Sequence, residues 1–122
     1  FVAFTAPPTD YVDHLTGDTI HADDVDFLSR VFFLGGIHQT YPGSISCCTG
    51  ACAVIPGTIL YEIRGTKASP EVGHPGGVID VEAICETGPD GGPVLKRASY
   101  ARTARRIMDG YCYVPNRCFE EG

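Results

Sequence analysis

The stretch from Pro42 to Gly57 carries hydroxyl and thiol groups first and small apolar residues after them. The reactive groups are those of Ser44, Ser46, Cys47, Cys48 and Thr49. This order, closed by Pro-Gly, is typical of a short helix that is tightly surrounded by other elements. The first N–H groups of a helix lack internal partners and its dipole favours negative charge, so this end can bind a carboxylate, stabilise an enolate-like charge or favour a thiolate. The alternative is an ordinary Ser/Thr cap with buried cysteines acting as small hydrophobes.

A glycine-rich loop at residues 71–77 is the second candidate for a binding site. Gly73, Gly76 and Gly77 allow the backbone to approach a ligand closely, and Pro75 fixes the loop. His74 can donate a hydrogen bond or exchange a proton near neutral pH. The alternative is that His74 is an exposed turn residue.

The order of the helices and strands that must position these groups predicts an α+β domain in which a sheet wraps around a buried helix. We expect a short buried strand at residues 1–5 and a helix from Asp23 that Gly35-Gly36 ends. The helix that begins near Cys48 is the one we expect to be enclosed, with Ala51, Ala53 and Val54 deeply buried. Further strands are predicted at residues 58–63, 77–85, 94–106 and 111–114.

Composition limits the classes of function. A length of 122 residues indicates a single domain, and a net charge of −6 argues against a nucleic-acid partner. Five of the nine cations lie in residues 96–106, either to meet an anionic ligand or acidic surface or simply as a solvated strand face. No run reaches the roughly 18 apolar residues of a membrane helix, so we expect no membrane partner.

Six cysteines admit two readings. An even count suits an extracellular, disulfide-stapled domain, but the apolar content is sufficient for a core without staples. We therefore predict reduced thiols and a cytoplasmic location. The cysteine spacing lacks a second pair or a histidine partner, so no metal site is predicted.

Four motifs in order resemble the C-terminal part of the PrpF family. They are Ala6-Pro7-Pro8-x-Asp10-Tyr11, Cys48-Thr49 followed by Ile55-Pro56-Gly57-Thr58, Gly73-His74-Pro75-x-Gly77, and the stretch from Arg102 to Pro115. The resemblance implies one lobe of a diaminopimelate epimerase-like fold, with a mixed sheet curled around a central helix. The residues 1–122 would then be a single, partial domain of a two-lobed enzyme.

The family resemblance also implies an activity. Its members isomerise methylaconitate, methylitaconate, aconitate or oxalomesaconate without a metal or organic cofactor. By resemblance, Cys48 is the candidate acid or base, and substrate-binding groups are expected at the helix start and the loop: Ser44, Ser46, Cys47, Thr49, Gly73, His74, Gly76 and Gly77. Two motifs depart from the family pattern: Ser44-Ile45-Ser46 replaces Thr-Gly-Ala, and Gly76 replaces Ser.

The leading hypothesis is a cofactor-independent 1,3-proton shift on an unsaturated di- or tricarboxylate, with this chain forming one wall of the active site. The expected partner is the N-terminal half of the same enzyme, with its lysine and serine, or a second copy of this chain. The rival hypothesis is a ligand-binding or interaction module that kept the fold and lost the chemistry.

Overall fold

The computed structural model describes residues 1–64, 67 and 69–119. Its main sheet has six strands: β1 (Val2–Ala6), β4 (Phe27–Phe33), β5 (Gly36–Ile37), β6 (Glu71–His74), β7 (Gly77–Thr87) and β8 (Pro93–Tyr100). Their order is β1-β4-β6-β7-β8, with β5 pairing with β4. Only the β4–β6 pairing is parallel among the described strands. A small hairpin of β2 (Tyr11–Val12) and β3 (Thr19–Ile20) lies apart from this sheet.

The helix predicted from Asp23 is wrong, and its place is taken by strand β4. The side chains of Phe27, Ser29 and Val31 are all fully buried. This alternation has the period of two that a strand imposes, and aromatic and β-branched residues suit a strand with a neighbour on each side. The glycines that were expected to end a helix instead close the hairpin from β4 to β5. Leu34 and Gly35 both have positive φ there, as in a type I′ turn.

Two helices cover the sheet. Helix α1 (Gly43–Val54) matches the predicted central helix and packs against β7 and β8, whereas α2 (Ile59–Arg64) replaces the strand predicted at residues 58–63. Thr58 explains the second helix, because its hydroxyl oxygen accepts a hydrogen bond from the Tyr61 N–H as an N-terminal cap does. Ala53 is fully buried, but Ala51 and Val54 are only half-buried, so α1 is enclosed on one side rather than all round.

The core lies between the sheet and the two helices. Its buried members come from β4, β6, β7, both helices and the segment before α1: Phe27, Val31, Tyr41, Ala53, Leu60, Val72 and Val81. Gly50 permits the close approach of α1 to β7, since an added Cβ would lie 3.4 Å from the Glu82 carbonyl oxygen. The predicted α+β class, with a mixed sheet curled about a central helix, is confirmed.

Both ends of the described chain are poorly covered by the rest of the fold. Strand β1 forms as predicted at the sheet edge, but all its residues are exposed rather than buried. Residues 101–115 contain neither helix nor strand. The strand predicted at 94–106 therefore ends with β8 at Tyr100, and the strand predicted at 111–114 does not form. No described strand lies beside residues 111–114 to bond with them. No helix in the described part of the chain has the length and apolarity needed to cross a membrane.

Candidate active site

The start of α1 presents free backbone N–H groups. Pro42 is the residue before the helix, and its carbonyl accepts the first intrahelical bond, from the Ser46 N–H at 2.9 Å. The N–H groups of Gly43, Ser44 and Ile45 therefore lack acceptors within the helix. Gly43 is needed at this position, because a Cβ there would collide with the Tyr100 ring. These N–H groups and the helix dipole together make the helix start suitable for an anion.

The predicted site residues on α1 divide between its faces. Ser44 and Cys48, four residues apart, lie on one face and are both exposed. Ser46 and Thr49 are buried, and the Ser46 hydroxyl donates to the Pro42 carbonyl at 3.1 Å. The Cys47 thiol faces β8, with its sulfur 3.8 Å from the Ala98 carbonyl oxygen. Only the face of Ser44 and Cys48 is open to a ligand.

That face borders a cavity of about 330 Å³ between α1, the start of α2 and strand β1. From α1 the cavity is lined by Ile45, Cys48, Thr49 and Cys52. Burial raises the pKa of the Cys52 thiol, and the neighbouring Cys48 raises it further. Cys52 is therefore a neutral wall residue at pH 7, one turn beyond Cys48.

The second predicted element, the loop at residues 71–77, consists of strand β6 and a tight hairpin turn after it. His74 pairs with Gly77, so Pro75 and Gly76 are the two turn residues, and Gly77 has a φ of 126°. Gly73 and His74 are buried, and Gly76 and Gly77 are half-buried. His74 is thus not the exposed turn residue of the alternative interpretation.

The segment before α1 is close to both predicted elements. A Cβ added at Gly76 would lie 3.0 Å from the carbonyl oxygen of Gln39. Two residues later, Tyr41 stacks on the His74 ring at a centroid distance of 5.8 Å. The Tyr41 hydroxyl lies 2.8 Å from the Thr49 Oγ1. Through Tyr41, the structure connects the histidine of the loop to the threonine of the helix.

Sequence reasoning missed the groups that hold this connection. The Tyr41 hydroxyl donates to the Ser29 Oγ at 2.8 Å, and both side chains are buried. Arg30 donates to the Gly73 carbonyl at 2.9 Å, and Tyr11 donates to the Gly77 carbonyl at 2.6 Å. Tyr11 lies in a motif that was recognised, but nothing in the sequence marks Ser29, Arg30 or Tyr41 as polar partners of a distant loop.

His74 is held in its neutral form. Burial lowers the pKa of its imidazole, the nearby Arg30 guanidinium lowers it further, and Asp13 acts in the opposite direction. The Gly76 N–H donates to Nδ1 at 3.2 Å, which assigns the imidazole proton to Nε2. His74 is therefore a hydrogen-bond donor at neutral pH rather than a cation.

The described residues contain no cluster of three or more His, Cys, Asp or Glu side chains that could bind a metal ion. All six cysteines are free thiols. The two predicted elements present N–H and hydroxyl groups, which are able to bind anions, and the Cys48 thiol, which is of a type able to transfer protons.

The family model and the similar proteins of known name agree with each other. The family model described as PrpF protein matches residues 1–115. The chain is 46% identical to 3-methylitaconate isomerase of Eubacterium barkeri over 116 residues. It is also 37% identical to 2-methyl-aconitate isomerase of Shewanella oneidensis, and each match covers 93% of this chain and 29% of the relative.

A solved structure supports the fold as well as the family. The crystal structure of methylitaconate-delta-isomerase superposes with a TM-score of 0.71 at 44% identity, over 98% of this chain and 30% of that chain. The chain therefore spans about 30% of the length of the relatives it matches.

Proposed function

Because this chain belongs to the PrpF family, we propose that it forms one wall of the active site of an isomerase acting on an unsaturated di- or tricarboxylate. The observation that carries the proposal is the 46% identity, over 93% of this chain, to a protein named for methylitaconate isomerisation. The proposed reaction is a 1,3-proton shift without a metal or organic cofactor.

The start of α1 binds one substrate carboxylate in this proposal. The free N–H groups of Gly43, Ser44 and Ile45 and the exposed Ser44 hydroxyl supply donors on an open face. These donors stabilise the negative charge that spreads onto the carboxylate when a proton leaves the allylic carbon. The buried hydroxyls of Ser46 and Thr49 contribute by fixing the helix, and the Cys47 thiol by its contact with β8.

Cys48 is the proposed proton-transfer group of this wall. A base removes the proton from one carbon, the double bond moves by one position, and an acid returns a proton to the third carbon. One proton leaves and one returns, so the step needs no oxidant or reductant. Cys48 performs one of these transfers from its exposed position beside the 330 Å³ cavity, and the principal base belongs to the opposite wall.

The loop at residues 73–77 binds a second carboxylate. His74 donates from Nε2. Gly73 and Gly76 contribute by shaping the loop, because Leu28 and Tyr11 fill the space beside Gly73, and Leu15 and Gln39 fill the space beside Gly76. The support for this role is the neutral, oriented imidazole and its contact with Tyr41, which itself bonds to α1.

The opposite wall comes from the N-terminal half of the enzyme or from a second copy of this chain. Support comes from the chain's share of its relatives, about 30%, and from exposed apolar side chains in residues 101–115. In this proposal residues 1–122 form one partial domain. The six free thiols fit a reducing compartment, and we propose the cytoplasm.

One observation favours the rival function, a ligand-binding or interaction module without catalysis. Ile45 stands where the family pattern has glycine, and it packs against the core beside Cys48. A branched side chain there narrows the approach to the helix start.

The two functions differ in whether carbon-bound protons exchange. We expect the protein that carries this chain to isomerise methylitaconate or methylaconitate in D₂O, with deuterium appearing at the allylic carbons by ¹H NMR. Tight binding of the same acids with neither isomerisation nor exchange would instead establish the binding module.

A further inference from the structure

Two thiols of α1 lie one helical turn apart in the wall of one cavity. Cys48 and Cys52 are four residues apart, and side chains at this spacing are neighbours on a helix surface, with Cβ atoms about 5–6 Å apart. Both line the cavity of about 330 Å³ between α1, the start of α2 and strand β1. Cys48 is exposed and Cys52 is half-buried, so a molecule in this cavity contacts both side chains.

The two thiols also interact with each other. Burial is the main cause that raises the pKa of Cys52, and the charge of the Cys48 thiolate and a hydrogen bond with Cys48 raise that pKa further. The hydrogen bond requires the two sulfur atoms to lie close together. In the described part of the chain, the thiols of Cys47 and Cys85 instead donate to backbone carbonyls. Cys48 and Cys52 therefore form a pair whose sulfur atoms are available to a ligand.

A pair of sulfur atoms limits the chemistry of that ligand. A structural zinc ion takes four ligands, and the described residues contain no metal-binding cluster of three or more His, Cys, Asp or Glu side chains. Thiolates prefer soft elements. A trivalent arsenical with one organic group, R–As=O, is soft and needs two thiols with no further ligand. The apolar side chains of Ile45, Ile59 and Leu60 lie in the same wall and suit its organic group.

We propose that Cys48 and Cys52 form a dithiol site that binds a trivalent organic arsenical through two As–S bonds. Each sulfur forms one bond to arsenic, the As=O bond breaks, and the oxygen leaves as water with the two thiol protons. Arsenic stays trivalent, so the step needs no oxidant or reductant. Two linked bonds hold the ligand about a hundredfold or more tighter than one bond does. The bound arsenical also removes Cys48 from proton transfer, a consequence that rests on the proposed function.

Phenylarsine oxide is the probe for this site, added to the reduced protein that carries this chain and followed by mass spectrometry with peptide mapping. We expect the α1 peptide to gain the mass of phenylarsine oxide less one water. Cys48→Ala and Cys52→Ala should each weaken binding about a hundredfold or more, because each leaves a single thiol. Iodoacetamide, which needs one thiol, should still alkylate Cys48 in the Cys52→Ala protein. This separates loss of the pair from loss of an accessible thiol.

The matched control is Cys47→Ala, which removes the thiol next to Cys48 whose sulfur faces β8. This variant should bind phenylarsine oxide as the parent protein does. Full binding by Cys52→Ala would overturn the proposal, because the second sulfur would then come from another cysteine. Turnover is measured on the same samples. An arsenical mapped to Cys48 and Cys52 with turnover unchanged would support the dithiol site and contradict the proton-transfer role of Cys48 instead.

Discussion

At the scale of residues, one tyrosine connects the two elements of the candidate active site. Tyr41 bonds to Ser29 on β4 and to Thr49 on α1, and its ring stacks on His74. All four side chains are buried, so each hydroxyl depends on the others for partners. Tyr41 therefore connects the middle of α1 to the loop.

Replacing Tyr41 by Phe tests this arrangement. The ring remains, but the hydroxyls of Ser29 and Thr49 lose a buried partner, and we expect a loss of about 1–3 kcal/mol in the free energy of unfolding. Urea denaturation measures this, with Tyr113→Phe as the control, since Tyr113 is 96% exposed. Equal stability of the two variants would show that the Tyr41 hydroxyl is not needed.

His74 predicts a pH dependence of stability. The pKa of His74 in the folded protein lies below the ordinary histidine value of 6.5, so the unfolded state binds the proton more readily. The contribution of neutral His74 to the free energy of unfolding is complete above pH 6.5 and is lost as the pH falls through the folded-state pKa. We expect His74→Gln to flatten the decline of stability below pH 6.5, measured by urea denaturation at several pH values. The same slope in His74→Gln as in the parent protein would contradict the assignment.

The residue types at the site could be predicted, but their orientations could not. The hydroxyl and thiol groups at a helix start selected Ser44 and Cys48, and the glycine-rich loop selected His74. Ser44 and Cys48 are exposed on one face of α1. Whether a hydroxyl on a helix faces solvent or the core depends on the packing of the whole sheet. This is why Thr49 was expected at the substrate but bonds to Tyr41.

At the scale of elements, the main error was the helix predicted from Asp23, because the apolar pattern there fits the period of a helix and also that of a strand. Apolar residues at positions 25, 27, 28, 31, 32 and 34 produce a helical stripe as well as a strand buried on one face. Pairing decides between them, because β4 has β1 on one side and β6 on the other. The central helix was predicted correctly since small residues, hydroxyls and a terminal Pro-Gly are signals within the sequence itself.

A substitution at Leu34 tests the hairpin, because its effect on stability has opposite signs in a turn and in a helix. Its φ of 49° is unfavourable for a leucine, and its side chain is 88% exposed. We expect Leu34→Asn to stabilise the protein by about 0.5–1 kcal/mol, because Asn-Gly is the preferred type I′ pair. In a helix the same change would be destabilising.

The matched variant is at the next position. Gly35 has a φ of 83°, so Gly35→Ala should reduce the free energy of unfolding by about 1 kcal/mol. Thermal and urea unfolding of both variants provide the measurement. A destabilising Leu34→Asn would contradict the turn.

At the scale of the whole molecule, exposed apolar surface marks the sides where more protein is expected. Residues 101–115 expose Ile107, Met108, Tyr111 and Tyr113, and each of these side chains is more than 80% exposed. Large exposed apolar patches usually mark contacts with other protein. Strand β1 adds a sheet edge with exposed side chains. We expect both to be covered in the active enzyme.

Complementation tests this expectation. Residues 1–122 produced alone should have little isomerase activity, because the proposed site has one wall. Co-expression with an N-terminal half from a PrpF-family isomerase should restore turnover and bury residues 101–115 from hydrogen exchange. A monodisperse 13.0 kDa monomer that isomerises the substrate unaided would refute the partial-site interpretation.

The most direct test of the account is the turnover number of the complete enzyme with Cys48 replaced by Ala. If the exposed face of α1 carries out proton transfer, we expect Cys48→Ala to lower kcat by about a hundredfold or more. Cys118→Ala, at an exposed thiol beyond the residues of the family match, should leave kcat unchanged. Full turnover by the Cys48→Ala enzyme would contradict the placement of the chemistry on α1.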